Sequence, residues 1–135
     1  MKDTTARGEL SELEIAIALT RAGMRVLRPL SAGLRYDLAV DNGDGTFMRV
    51  QCKTGRLRDG FIEFRAYNAD GRRPNGVRYW GQIEAFGVFC PQNGVSYLVP
   101  ITALASGGTP RLRLERPRNG QAKGIRYAKD FEIKT

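Results

Sequence analysis

Histidine is missing from all 135 residues, which removes Ser-His-Asp and Cys-His nucleophilic catalysis and every His-ligated metal site. Cysteine is nearly missing as well. Cys52 and Cys90 are the only two, each inside an apolar run and without CxxC spacing, so neither a disulfide framework nor a zinc cluster is expected and both read as reduced core residues. Apolar runs are short: none approaches the roughly 20 residues that a membrane helix needs. The opening MKDTTARGEL lacks the hydrophobic core of a secretion signal, so a cytoplasmic location is expected. Lysine is scarce, with five residues, which leaves arginine for 17 of the 22 basic positions. Any catalysis therefore has to use carboxylates, amides, lysine or a hard metal ion.

What is present is positive charge, unevenly placed. The formal net charge is +8; residues 1–53 carry 8 basic and 7 acidic side chains, whereas residues 54–135 carry 14 and 7. The excess belongs to the second part, and its arginine content suits phosphate, because the planar guanidinium fork donates two hydrogen bonds at once. A polyanionic partner is expected, nucleic acid being the commonest, against the plainer account of a surface kept basic for solubility. The length suits one compact domain spanning residues 1–135.

Residues from about Thr5 to Ala22 read as a helix closed by Gly23. MRVLRPL follows as a short strand, and LRYDLAV as another, with Tyr36, Leu38 and Val40 on one face and Asp37 and Ala39 on the other. DNGDGT turns the chain so that FMRVQCKT returns as a hairpin partner. The turn has the look of a calcium loop, yet its acids miss the alternating EF-hand positions and no bidentate glutamate follows. FIEFRAY is a further strand, and EAFGVFCP and VSYLVPI form a second hairpin across QNG. One helix leading into a mixed, strand-rich sheet makes an α/β or α+β domain.

On a helical wheel, Arg7, Ser11, Glu14 and Arg21 gather with Ala18 on the expected solvent side, and Glu12 falls nearly opposite, beside Ala16 and Leu19. A carboxylate there is paired, protonated or coordinating, since burying a lone charge is costly; alternatively it sits partly exposed at the helix edge. In FMRVQCKT, alternation puts Met48, Val50 and Cys52 on one face and Phe47, Arg49, Gln51 and Lys53 on the other. With a suitable hairpin register, Asp37 joins Gln51 and Lys53, and Glu12 meets them from the helix. Two carboxylates and an amide oxygen form a hard site suited to Mg²⁺ or Mn²⁺, and a lysine beside them positions or deprotonates a water, a constellation fit for phosphodiester hydrolysis.

With these residues the chain resembles the PD-(D/E)xK nucleases: Asp37 in YDLAV is followed by VQCK where that superfamily has an acid, any residue, then lysine. RGELSELEIAIALTRAG is similar to the opening helix of small Holliday junction resolvases, with Arg7, Gly8, Glu12 and Gly23 at the patterned positions. The later YWGQIEAFGVFCP…YLVP is similar to downstream strands of small phage and intron-encoded members. The resemblance implies a restriction-endonuclease-like mixed central sheet with an N-terminal helix packed on it, and a Mg²⁺-dependent, structure-selective endonuclease serving DNA recombination and repair. Glu12, Asp37 and Gln51 would be metal ligands and Lys53 the catalytic lysine, in a homodimer acting on four-way junctions in a prokaryotic or phage-infected cytoplasm. Gln51 departs from the pattern: a neutral ligand holds metal less tightly, so the site either tolerates it or has lost activity. A sequence-specific endonuclease of homing or restriction type and an inactive nucleic-acid-binding module stay open as alternatives.

DNA phosphates are expected to meet Arg7, Thr54 and Arg56, the loop arginines Arg72, Arg73 and Arg78, and the distal Arg111, Arg113, Arg116, Arg118, Lys123 and Arg126. Thr54 reads equally as a strand-end residue. Glu84 is either an accessory acid or a surface glutamate, and Tyr79 and Trp80 either stack on a base or pack the sheet edge.

Overall fold

A computed structural model describes residues 4–66, 81–104, 109–114 and 126–134. The chain opens with helix α1 (Thr4–Arg21) and continues through strands β1 (Arg25–Leu27), β2 (Leu38–Asp41), β3 (Phe47–Thr54), β4 (Arg56–Arg58), β5 (Phe61–Glu63), β6 (Ala85–Cys90), β7 (Val95–Pro100) and β8 (Arg111–Arg113). Five of the strands form one sheet in the order β1-β2-β3-β6-β7, antiparallel except between β3 and β6, and β4-β5-β8 form a second, antiparallel sheet. The expected mixed central sheet with an N-terminal helix is therefore present. The small second sheet is not foreshadowed by the periodicity, because its strands have three residues each, and FIEFRAY contributes only Phe61–Glu63 to it. No helix among the described residues is long and apolar enough to cross a membrane.

Helix α1 stops where expected. Gly23 takes φ +89, its N–H donates to the carbonyl of Thr20 at 3.0 Å, and the N–H of Met24 donates to that of Leu19 at 3.1 Å, the paired bonds of a Schellman ending. The β2–β3 turn consumes its own carboxylates. Asp41 Oδ1 accepts the Gly43 N–H at 2.8 Å and Asp44 Oδ1 accepts the Thr46 N–H at 3.0 Å, which shapes a hairpin and not a cation loop.

The helix sits on the sheet by a different face from the one read off the wheel. Ser11, Ile15 and Leu19 are its buried residues, so Ser11 points at the sheet and not at solvent, while Leu10, Leu13 and Ile17 are the ones exposed. Apolar residues recur all around this helix, so periodicity alone does not select the packed side. Close approach does: a methyl group on Gly87 would stand 2.7 Å from Cγ2 of Ile15 and 3.1 Å from Cγ1 of Val50, so the bare backbone of β6 lets Ile15 settle into the sheet.

The sheet is apolar on both faces. Toward α1 lie Leu38, Val40, Val50 and Phe89, with Met48 and Cys52 partly buried beside them. Away from the helix, Phe86, Val88, Cys90, Tyr97 and Val99 meet Ile62, Phe64 and Leu112 of the second layer. Both cysteines are free, as expected, with Cys90 buried and Cys52 half-buried.

Gly87→Ala overpacks the helix–sheet contact and should cost about 1–3 kcal/mol, read as a fall of several degrees in thermal midpoint. Unchanged stability would show that α1 can slide on the sheet and that the contact is not a tight one.

Candidate active site

Strand β3 lies inside the five-stranded sheet and presents its two faces to different surroundings. Its apolar row meets α1; Arg49, Gln51 and Lys53 point the other way. The β2–β3 register pairs Leu38 with Val50 and Ala39 with Arg49 and ends there, so Asp37 stands at a bend just before β2. Asp37 is pinned there twice: its N–H donates to the Val50 carbonyl at 2.9 Å, and its Oδ2 accepts the Cys52 N–H at 2.7 Å. β2 begins four residues later than the expected LRYDLAV strand, so Asp37 lies outside it and is held by these two hydrogen bonds instead of by the ladder.

Glu12 reaches this region from α1. The Ser11 and Thr54 hydroxyls are hydrogen-bonded at 2.6 Å, which docks the helix on the end of β3 and sets the azimuth of the neighbouring Glu12. Glu12 is a half-buried residue at the helix edge, 25% exposed in its side chain, and Arg28 Nη2 donates to its Oε1 at 3.2 Å. Burial raises its carboxyl above the usual value, the Asp37 charge raises it further, and Arg28 opposes both. Asp37 is raised as well, chiefly by burial, against the lowering effects of the Cys52 N–H and of Lys53. Lys53 is half-buried and its ammonium is made less basic by burial and by the charges of Arg65 and Arg35, opposed by Asp37. Asp37 therefore lies close enough to interact with Glu12 on one side and Lys53 on the other, in surroundings that disfavour the charged forms of all three.

Gln51 stands two residues before Lys53 on the same face of β3. Its Oε1 is buried and has no hydrogen-bond partner among the described residues. An unsatisfied buried carbonyl costs about 1–3 kcal/mol, and a cation is one way to satisfy it. Among the described residues no three of His, Cys, Asp and Glu gather into a metal cluster. Carboxylate and amide oxygens are the donor types that suit a hard, oxygen-seeking cation such as Mg²⁺ or Mn²⁺. Gln51 also lines an open cleft of about 600 Å³ together with Arg35, Tyr36, Arg49 and Gln82, on the sheet face away from α1.

Other expected site residues are placed differently. Glu84 is clamped to Arg49, whose backbone N–H donates to its Oε1 at 2.7 Å and whose guanidinium grips both of its oxygens. That clamp holds its carboxyl below the ordinary value, and Glu84 ties β3 to the approach of β6. Thr54 is engaged by Ser11, and Arg126 Nε donates to the Ala103 carbonyl at 2.6 Å, a bracing contact inside the fold. Arg7, Arg56 and Arg111 are exposed, and Arg113 is partly so. Arg72, Arg73, Arg78, Tyr79, Trp80, Arg116, Arg118 and Lys123 lie outside the described residues. Ser11 and Arg28 are the additions that sequence reading missed; Ser11 was legible only as the first member of the i, i+4, i+8 series with Ile15 and Leu19, and nothing local marks Arg28.

A family model described as PD-(D/E)XK endonuclease matches residues 2–134. No curated protein matches the chain in sequence. Among solved structures, a bacterial homing endonuclease, I-Ssp6803I, is similar in fold with a TM-score of 0.70 and 18% identity, over 98% of this chain and 88% of that one. The Holliday junction resolvase Hjc of the archaeal hyperthermophile Archaeoglobus fulgidus is matched at a TM-score of 0.48 and 16% identity, over 79% of this chain and 84% of that one.

The raised Asp37 carboxyl has a stability consequence of definite sign. A carboxyl raised above its ordinary 3.8 on folding makes the native state bind more protons than the unfolded chain over the interval up to its raised value, so stability falls as pH rises through that interval. Asp37→Asn keeps an oxygen for the Cys52 N–H and removes the desolvated charge. In EDTA at neutral pH it should melt at or above the wild-type temperature; a clear loss would show that the carboxylate is not held at a cost.

Proposed function

The chain belongs to the PD-(D/E)XK endonuclease family, and we propose that it is a divalent-metal-dependent DNA endonuclease whose reacting groups are Glu12, Asp37, Gln51 and Lys53. The observation that carries this reading is the buried Oε1 of Gln51, without a hydrogen-bond partner among the described residues, on the face of β3 that also bears Lys53. An amide oxygen in that situation supports a ligand role for Gln51.

A Mg²⁺ or Mn²⁺ ion held by Glu12, Asp37 and Gln51 Oε1 would neutralise charge developing on the phosphate. The remaining work falls to side chains. Asp37 enters the reaction already oriented, because the Cys52 N–H takes up one of its oxygens and leaves the other free to coordinate. Lys53, made less basic by burial, is suited to orient a water and to exchange a proton with it. The guanidinium charges of Arg35 and Arg65 that lower Lys53 also favour a phosphate next to it. Phosphodiester hydrolysis follows: the oriented water attacks phosphorus as the P–O bond to the leaving oxygen breaks.

For the substrate, likeness in fold to a homing endonuclease over almost the whole chain supports a duplex target, cut in the homing or restriction manner. The helix pattern of Arg7, Gly8, Glu12 and Gly23, which ends in the capped turn described above, supports four-way junctions as a second reading, with a homodimer implied.

Duplex, fork and four-way junction DNA incubated side by side with Mg²⁺, Mn²⁺ or EDTA separate these readings. Cleavage should require the cation, and Lys53→Ala should lose about 100-fold or more in rate while keeping its fold. Cutting that persists undiminished in Lys53→Ala would place the chemistry elsewhere. Preferential resolution of junctions would displace the duplex reading, and tight binding without cutting would make the chain a DNA-binding module.

A further inference from the structure

The small sheet has a composition that the candidate active site does not account for. Its register pairs Arg56 with Glu63 and Glu63 with Arg111, then Arg58 with Phe61 and Phe61 with Arg113. Directly opposed residues share a face, so these six side chains stand on one surface, while the intervening row of Leu57, Ile62 and Leu112 turns into the core. The outer face therefore carries four arginines, one glutamate and one aromatic ring.

The arginines are also held. Arg111 and Arg113 lie over the Phe61 ring, with their guanidinium carbons 5.5 Å and 4.8 Å from its centroid, and Arg111 Nε is 3.1 Å from Glu63 Oε1. Stacking on a ring fixes the plane of a guanidinium, which lowers the ordering cost of binding an anion. Arg56, Arg58 and Arg111 are exposed. No patch needed only for solubility requires four like charges on six adjacent positions, since their mutual repulsion works against the sheet.

From this we infer that the outer face of the β4-β5-β8 sheet is a phosphate-gripping platform for duplex DNA, separate from the reacting groups and indifferent to base sequence. The inference rests on the nuclease reading for its choice of DNA as the polyanion. Dimensions decide between groove and backbone. A two-stranded ribbon fills the major groove, about 12 Å wide; a third strand makes the backbone alone about 10 Å across before side chains are added, so this face lies against phosphates. Arginines two residues apart along a strand are about 7 Å apart, which equals two nucleotides of axial rise on one DNA strand.

The platform is joined rigidly to the catalytic strand. Only Thr54 and Gly55 separate Lys53 from Arg56, and the Gly55 N–H donates to the Phe89 carbonyl at 2.7 Å. A methyl group on Gly55 would lie 2.8 Å from Cγ1 of Val88 and 2.9 Å from Cγ2 of Ile62, so the two sheets meet there with no side chain between them.

The test measures affinity for a duplex of arbitrary sequence in EDTA across a salt series, by fluorescence anisotropy. Arg58→Ala/Arg113→Ala should weaken binding about tenfold or more and lower the slope of log K against log salt by about 1.8, at about 0.9 per phosphate contact. Arg58→Lys/Arg113→Lys should recover most of the slope. Arg21→Ala/Arg25→Ala removes the same charge from exposed positions elsewhere and should leave the slope near wild type. If the alanine pair proves unfolded by thermal melting, Arg56→Gln/Arg58→Gln on the opposite edge strand provides the same readout. Coincidence of the platform variants with the Arg21/Arg25 control would overturn the platform. Loss of grip in the platform variants, together with no cutting by the wild type in Mg²⁺ or Mn²⁺, would uphold the platform and overturn the nuclease reading. Failure of the wild type to bind duplex at low salt would overturn both.

Discussion

The period of two along β3 is the constraint on which the structure turns. Because this strand is interior to its sheet, neither row of its side chains is at liberty: one must satisfy an α-helix, the other must face the second layer and the open cleft. Met48, Val50 and Cys52 meet the first demand. Gln51 and Lys53 are then committed to the opposite surface whatever their chemistry, and a slip of one residue would bury the lysine under α1 and expose Val50. The hairpin register, set by a turn that spends two aspartates on its own backbone, protects against that slip.

The group of polar side chains works against stability where it stands. Two carboxylates raised by burial, a lysine made less basic by it, and an amide oxygen with no donor are all features that a sequence selected only for folding would remove. The surrounding scaffold compensates with tight packing: Ile15 into the space above Gly87, and the Arg49–Glu84 clamp across the neck of the β3–β6 pair. A stable frame that tolerates locally unfavourable electrostatics is the usual signature of a functional site.

Much of this was legible in the sequence because it depends on short-range rules. The helix and its Gly23 ending, both hairpins, the facing of Gln51 and Lys53, and the presence of Asp37 beside them follow from period, turn chemistry and alternation. The orientation of α1 was not legible, because Leu10, Leu13, Ile15, Ile17 and Leu19 surround the helix and only the bare backbone of Gly87, seventy residues away, decides which of them is buried. The same holds for Arg28, whose partner is set by tertiary approach, and for Glu84, which read as a surface acid until Arg49 was found across from it. Three-residue strands such as β4, β5 and β8 carry too little periodicity to be recognised, and their arginines pointed to phosphate without revealing that they share one surface.

The junction at Gly55 constrains the chain in length as much as in identity. Adding or removing one residue between Thr54 and Arg56 would reverse the parity of β4, turning Leu57 outward and driving two arginines toward Ile62 and Leu112. The two sheets thus share a single count of residues, running unbroken from the hairpin turn to the edge of the second layer. Drift in this protein is free to change what stands on either surface, but the spacing between the surfaces is a ruler that the fold does not allow to stretch.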